Sequence, residues 1–255
     1  MTSRGANRLG IVSRLVQALF LLAGLVLWFL ATTRWGVNQL LLPKPGAVLQ
    51  NLADILVSGE FVGDLVVTLM ELAVAFVIAM FTGTIVGYAI SRSRYLIGVF
   101  EPLLSGIYAI PLILFLPLYV LFFGLGPASK IALGATIGFF PIVLNTIAGF
   151  AQVDHTFVKA AQAMGASAYQ LFRYVLLPAA LPVILTGLRM GFTVTLLAII
   201  GSEAIASLAG LGHRIVQLSE GMETARMFAY IAFVVVIAVI LNGVVSALEA
   251  RGKRS

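Results

Sequence analysis

His155 and His213 are the only histidines of this sequence, and neither has a carboxylate or serine at a spacing that would complete a metal site or a nucleophilic triad. Cysteine is absent, which removes disulfides, thiolate ligands and thiol nucleophiles. There is no phosphate-cradling G-x-x-x-x-G-K-[ST] loop either. Gly252-Lys253 comes nearest, with no glycine at the required distance before it. No catalytic residue, metal or cofactor is therefore expected in this chain. The remaining candidates are of another kind. Glu71, Glu101 and Arg189 stand inside long apolar stretches and Glu203 at the end of one, and ionisable groups in such places are functional candidates by default. Pro111 and Pro117, with Phe115 between them, interrupt a further stretch; a break of this kind either frees backbone for a binding site or is a packing kink.

Composition dictates the elements that carry these residues. Hydrophobic residues make up 61% of the 255 and charged ones 10%, against about a quarter charged in a soluble domain. Mean hydropathy is +1.08. Too few polar residues remain to cover a water-soluble fold of this size. The sequence predicts an all-α integral membrane protein with six transmembrane helices, at about 15–33, 65–91, 95–123, 131–152, 181–202 and 227–248. A span takes about 20 mostly apolar residues, and its backbone groups must pair within the helix. The first stretch is too long for a signal-peptide core and Thr32-Thr33-Arg34-Trp35 is a poor cleavage site, so it reads as a retained helix.

Eleven of the sixteen lysines and arginines, Arg4, Arg8, Arg14, Lys253 and Arg254 among them, fall on the side of both termini. Arg34, Lys44, Lys130, Arg214 and Arg226 fall on the other, with six acids. Both termini are thus expected in the cytoplasm, and the net charge of +6 reflects insertion rather than nucleic-acid binding. On this topology Glu203 lies near solvent at the outer end of its span, Glu71 in the outer leaflet, and Glu101 and Arg189 near the inner interface. No repeat or linker divides residues 1–255, so one transmembrane domain is expected.

Residues 153–180 are the largest cytoplasmic piece. Asp154 can cap a helix of little more than two turns, which Gly165 ends by taking the left-handed conformation. Ser167 can cap a second helix running to Leu177, where Pro178 and Pro182 stop and redirect it. Val158, Ala161 and Gln162 share one face of the first helix, His155 and Lys159 another. An interfacial anchor would carry several basic residues opposite large apolar ones. This bend has one lysine and small residues (Ala160, Ala161, Ala163, Gly165) that let another protein approach the backbone closely.

Lys159-Ala160-Ala161, three residues, Gly165, nine residues, then Val175-Leu176-Leu177-Pro178 resembles the EAA-x3-G-x9-I-x-L-P signature of ABC importer permeases. Lysine stands where the signature has glutamate, and valine where it has isoleucine. Leu42-Pro43-Lys44-Pro45, Ile110-Pro111-Leu112 through Gly126-Pro127-Ala128-Ser129-Lys130, Pro178–Gly191 and Gly210-Leu211-Gly212 are similar to the nitrate, sulfonate and taurine branch. The resemblance implies the type I importer permease fold, with a coupling-helix loop between spans four and five. It implies a bacterial inner-membrane subunit working with a second, identical permease copy and two ATP-binding cassette subunits that hold ATP and magnesium. A periplasmic or lipid-anchored solute-binding protein would deliver the cargo, and membrane lipid is the remaining partner. Lys159, Ala160, Ala161, Gly165, Val175, Leu177 and Pro178 would couple to the ATPase. Glu71, Pro111, Phe115 and Glu203 are candidates for the translocation path, with a structural role open for each. The alternative from another class is a stand-alone ion-coupled secondary transporter or channel. That reading predicts intramembrane carboxylates paired with cations and an inverted repeat, neither of which stands out.

Overall fold

A computed structural model describes the backbone of residues 3–252, with side chains from residue 16 onward apart from positions 18 and 21. Lys253 and Arg254 of the basic set lie outside the described residues, as do the side chains of Arg4, Arg8 and Arg14. The described elements are helices: α1 Ser3–Thr33, α2 Pro45–Ser58, α3 Val62–Ser91, α4 Arg94–Tyr108, α5 Leu116–Phe123 and α6 Pro127–Ala151. Then come α7 His155–Ala163, α8 Ala168–Leu171, α9 Leu177–Ala206, α10 Leu211–Glu220 and α11 Thr224–Gly252. Among the described residues α3, α6, α11 and the helical run containing α9 are long and apolar enough to cross a membrane. The α4–α5 pair, bent by 75°, qualifies as one broken span and raises the number to five. In α1 the described apolar part, Leu22–Thr33, is shorter than a span.

Proline acts differently from the expectation at two places. The break in 95–123 falls at Pro111, which opens a 3₁₀ turn over Leu112–Phe115. Pro117 does not interrupt the chain but starts α5, where a first-turn N–H has no helical partner to lose. Pro178 and Pro182 likewise fail to stop the helix before them. A π-helical stretch, Phe172–Leu176, joins α8 to α9, and Leu177 N–H bonds to Phe172 O, five residues back. This wider turn delivers Pro178 to the first turn of α9, so the chain stays helical from α8 into α9, with Pro182 inside.

The chain forms two compact units, Met1–Glu60 with Ile215–Phe233, and Phe61–Arg214 with Val234–Ser255. In the first, Trp28 Nε1 donates to Pro43 O at 2.9 Å, tying the end of α1 to the Pro43-Lys44-Pro45 turn. Glu60 there pairs with Arg226 and accepts the Tyr230 hydroxyl at 3.2 Å.

In the second unit α6 packs along both α3 and α9. Glycines four residues apart open the way: Gly83 and Gly87 on α3, Gly134 and Gly138 on α6, Gly187 and Gly191 on α9. A Cβ at Gly83 would lie 2.8 Å from Ile142 Cγ2, and one at Gly191 2.5 Å from Ile142 Cγ1. Lipid supplies no hydrophobic drive between helices, so close van der Waals contact across such small-residue faces holds them together. Tight packing of the three helices is also what closes a polar cluster off from solvent at one end of the unit.

Candidate functional site

Asp64, Thr68 and Glu71 are spaced four and three apart on α3, which places them on one face. That face meets Lys130 in the first turn of α6, Glu203 near the end of α9, and the Gly210-Leu211-Gly212 segment that follows. Glu203 is fully buried, contrary to the solvent-side position expected for it. Its carboxylate accepts the Thr68 hydroxyl at 2.7 Å and the Gly212 N–H at 2.8 Å. Thr68 in turn accepts Leu211 N–H at 3.0 Å, and Asp64 accepts Gly210 N–H at 3.0 Å. Three successive backbone N–H groups are therefore held by three side chains. Glycine is required at 210, where φ is +107° and a Cβ would strike the Glu203 carboxylate.

Glu71 and Lys130 complete the cluster, both fully buried. Lys130 Nζ donates to Leu125 O and, at 3.2 Å, to Gly126 O. Glu71 lies within electrostatic reach of Glu203 and Lys130, and its Oε2 has no hydrogen-bond partner among the described residues. Two buried carboxyl groups and one ammonium thus lie within electrostatic reach of one another. Glu71 and Glu203, two of the translocation-path candidates, are brought together here. Pro111 and Phe115 are not part of the cluster. Pro111 is exposed at the α4–α5 bend, and Phe115 lines an apolar hollow with Leu118 and Phe122.

Elsewhere in the unit Arg189 ion-pairs with Glu249 of α11 at 3.1 Å, while Glu101 is exposed. Sequence reasoning singled out neither Thr68 nor Lys130 for this cluster. The four-and-three spacing on α3 was the available signal.

The α7–α8 loop is the second candidate. Asp154 caps α7 by accepting Thr156 N–H at 2.8 Å, and the same bond holds its carboxyl below the usual carboxylate range. Gly165, at φ +78°, closes α7: Gly165 N–H reaches Gln162 O, and Ala166 N–H reaches Ala161 O, both at 3.0 Å. Ser167 and Gln170 form a reciprocal capping box at α8. Val158 packs, with Leu176 and Leu177, on a cluster of Val153, Ala180 and Ile184, and Ala161 is buried on the same helix. Gln162, grouped with Val158 and Ala161 on one face, is exposed. Lys159, Ala160, Gly165 and Pro178 are exposed, and Val175 and Leu177 half-buried. Phe157, Met164, Tyr169 and Tyr174 of the same segment are also exposed, large side chains that the sequence reading did not pick out.

Several apolar crossings, a broken span, and an exposed helical loop anchored on one side define a multi-pass all-helical membrane subunit. The description "Binding-protein-dependent transport system inner membrane component" matches residues 75–254. The chain is 34% identical to the taurine transport system permease protein TauC of Escherichia coli, over 89% of this chain and 84% of that protein. It is 29% identical to the putative aliphatic sulfonates transport permease protein SsuC of Bacillus subtilis, over 84% and 78%. An inward-facing structure of the MetNI methionine ABC transporter has the same fold, with a TM-score of 0.62 at 22% identity over 74% of this chain and 92% of that one. The chain belongs to the binding-protein-dependent transport system inner membrane component family, as the permease subunit of an ABC importer. It is a multi-pass inner-membrane protein without an ATPase domain of its own, and the family implies ATPase and binding-protein partners. This membership sets aside the stand-alone ion-coupled transporter.

Proposed function

We propose that residues 1–255 form one transmembrane domain with six spans: α1, α3, the bent α4–α5 pair, α6, α9 and α11. Both termini and the α7–α8 loop face the cytoplasm in this reading, in line with the distribution of lysine and arginine. Two identical copies enclose the pathway, two ATP-binding subunits dock on the loops, and a solute-binding protein delivers cargo from the other side. Closure of the ATPase pair on ATP pushes α7. The unbroken helical path from α8 through the π-helical stretch into α9 carries that push into the bundle and opens it outward. The cargo is a small sulfonate of the taurine type, the class for which the relatives TauC and SsuC are named.

One observation carries this reading: α7 is anchored on one side and bare on the other. Val158 and Ala161 turn inward, whereas Lys159, Ala160 and Gly165 are exposed, with nothing within 4 Å of a Cβ placed on Gly165. The chain has no cysteine, so Ala160→Cys introduces a single thiol. Cross-linking from it should capture the ATP-binding subunit, and vesicles holding the complex should take up labelled taurine only with ATP inside. Capture of no ATPase in cells where uptake proceeds would refute the coupling role. Uptake of another solute class with taurine refused would refute the cargo alone.

A further inference from the structure

Between the α3–α4 turn and the α7–α8 loop lies a cavity of about 540 Å³, within the range of small-molecule sites. Its charged lining is basic, Arg92 and Arg94 of the turn, and its other polar members are His155 at the start of α7, Tyr88 and Ser91. Arg94 Nη2 donates to His155 Nε2 at 2.9 Å. Among the described residues neither arginine has a carboxylate partner. The acid adjacent in sequence, Asp154, already accepts Thr156 N–H at 2.8 Å. The rest of the wall is mostly apolar, with Ile97 from α4, Val158 from α7 and Leu176 before α9.

Two membrane-crossing helices, α3 and α6, end beside this cavity, at Ser91 and Ala151. It therefore opens at a membrane surface. A free inorganic anion would use the basic lining and leave the apolar wall idle. A ligand with an anionic head and hydrocarbon chains matches both, and basic pockets between membrane helices suit phospholipid head groups. We infer that this cavity binds an anionic phospholipid, whose phosphate bridges Arg92 and Arg94 and whose chains lie along Ile97 and Leu176. The phosphate replaces His155 as acceptor for Arg94 with a charge-assisted bond, and the bound lipid ties the α3–α4 turn to α7. The site does not depend on the identity of the cargo.

Native mass spectrometry of the chain, in the complex with which it purifies, tests the site with phosphatidylglycerol, phosphatidylcholine and inorganic phosphate. Phosphatidylglycerol should bind more tightly than phosphatidylcholine, and Arg92→Gln should weaken it about fivefold, the effect of one basic residue near an anionic lipid surface. Arg92→Gln/Arg94→Gln should abolish the preference, while Arg173→Gln, an exposed charge outside the cavity, should leave it intact. Arg92→Lys/Arg94→Lys retains charge and should retain the preference, which controls for misfolding in the glutamine variants. Equal binding of the two lipids, or unchanged affinity in Arg92→Gln, overturns the inference. Displacement of phosphatidylglycerol by millimolar inorganic phosphate also overturns it, as a free-anion site.

Discussion

Glu203 accepts the backbone N–H of Gly212 at 2.8 Å, nine residues further on, and so folds the end of α9 back onto the start of α10. The same carboxylate accepts the Thr68 hydroxyl on α3, which couples this turn to a second helix. A turn held this way tolerates no extra atom at position 212. There a Cβ would lie 2.8 Å from Glu203 Cβ and 2.9 Å from Ala204 N. Gly212→Ala should therefore cost about 1–3 kcal/mol, the usual range for overpacking. Thermal unfolding of the detergent-purified protein should show a midpoint several degrees lower, while Gly24→Ala, in a helix with open space around it, should not lower it.

Lys130 donates to two backbone carbonyls and lies within electrostatic reach of Glu71 and Glu203, so its loss should be costly. Lys130→Met leaves Glu71 and Glu203 buried together without a cation. The expected destabilisation is about 1–3 kcal/mol, the cost of leaving a buried polar group without its partner. Glu71→Gln removes one negative charge and keeps the shape, and in the Lys130→Met background it should restore part of the loss. A double-mutant cycle on apparent melting temperatures measures this. Strict additivity would mean that Glu71 and Lys130 do not interact.

Acid should loosen α7 at its start. Asp154 has its carboxyl held below the usual range by the Thr156 N–H. A depressed carboxylate contributes stability above its unfolded value, near pH 4, and loses that contribution as pH falls through the lower folded value. Protection of the amides at Thr156 and Phe157, measured by hydrogen exchange and corrected for intrinsic rates, should be flat from pH 5 to 8. It should fall below about pH 4. Asp154→Asn caps without titrating and should flatten the profile.

Short-range structure was legible in the sequence, and long-range polar pairing was not. Asp154, Gly165 and Ser167 announce their caps because cap chemistry involves residues two to five apart. Among the described residues four spans, or five with the bent α4–α5 pair, are legible for a similar reason, since lipid imposes a length and a composition on each. Glu203 gave the opposite impression. It stands at the outer end of an apolar run, which suggests solvent, yet its partner Thr68 lies 135 positions away. Pro178 was misleading because the breaking rule assumes an α-helical turn before it, and a π-helical one removes the conflict. Glycine pairs at 83/87, 134/138 and 187/191 show that helix contacts also leave a trace, as a spacing of four.

Position 165 separates a backbone requirement from a surface one. With φ at +78°, any L side chain with a Cβ is strained there, so Gly165→Ala should destabilise the end of α7 by about 1–2 kcal/mol. Asparagine tolerates this region far better than alanine or a bulky residue. Within the chain nothing lies within 4 Å of the added Cβ, so Gly165→Asn has no internal clash to pay for. If α7 seats in an ATPase cleft, Gly165→Asn should leave the permease's own melting temperature almost unchanged but lower its ATP-driven uptake. Gly165→Ala should lower both. Gly165→Trp alone is not decisive, because it combines strain with bulk. Full uptake in Gly165→Asn, with Gly165→Ala impaired only in proportion to its lost stability, would show that the glycine serves only to end the helix and not to seat a partner.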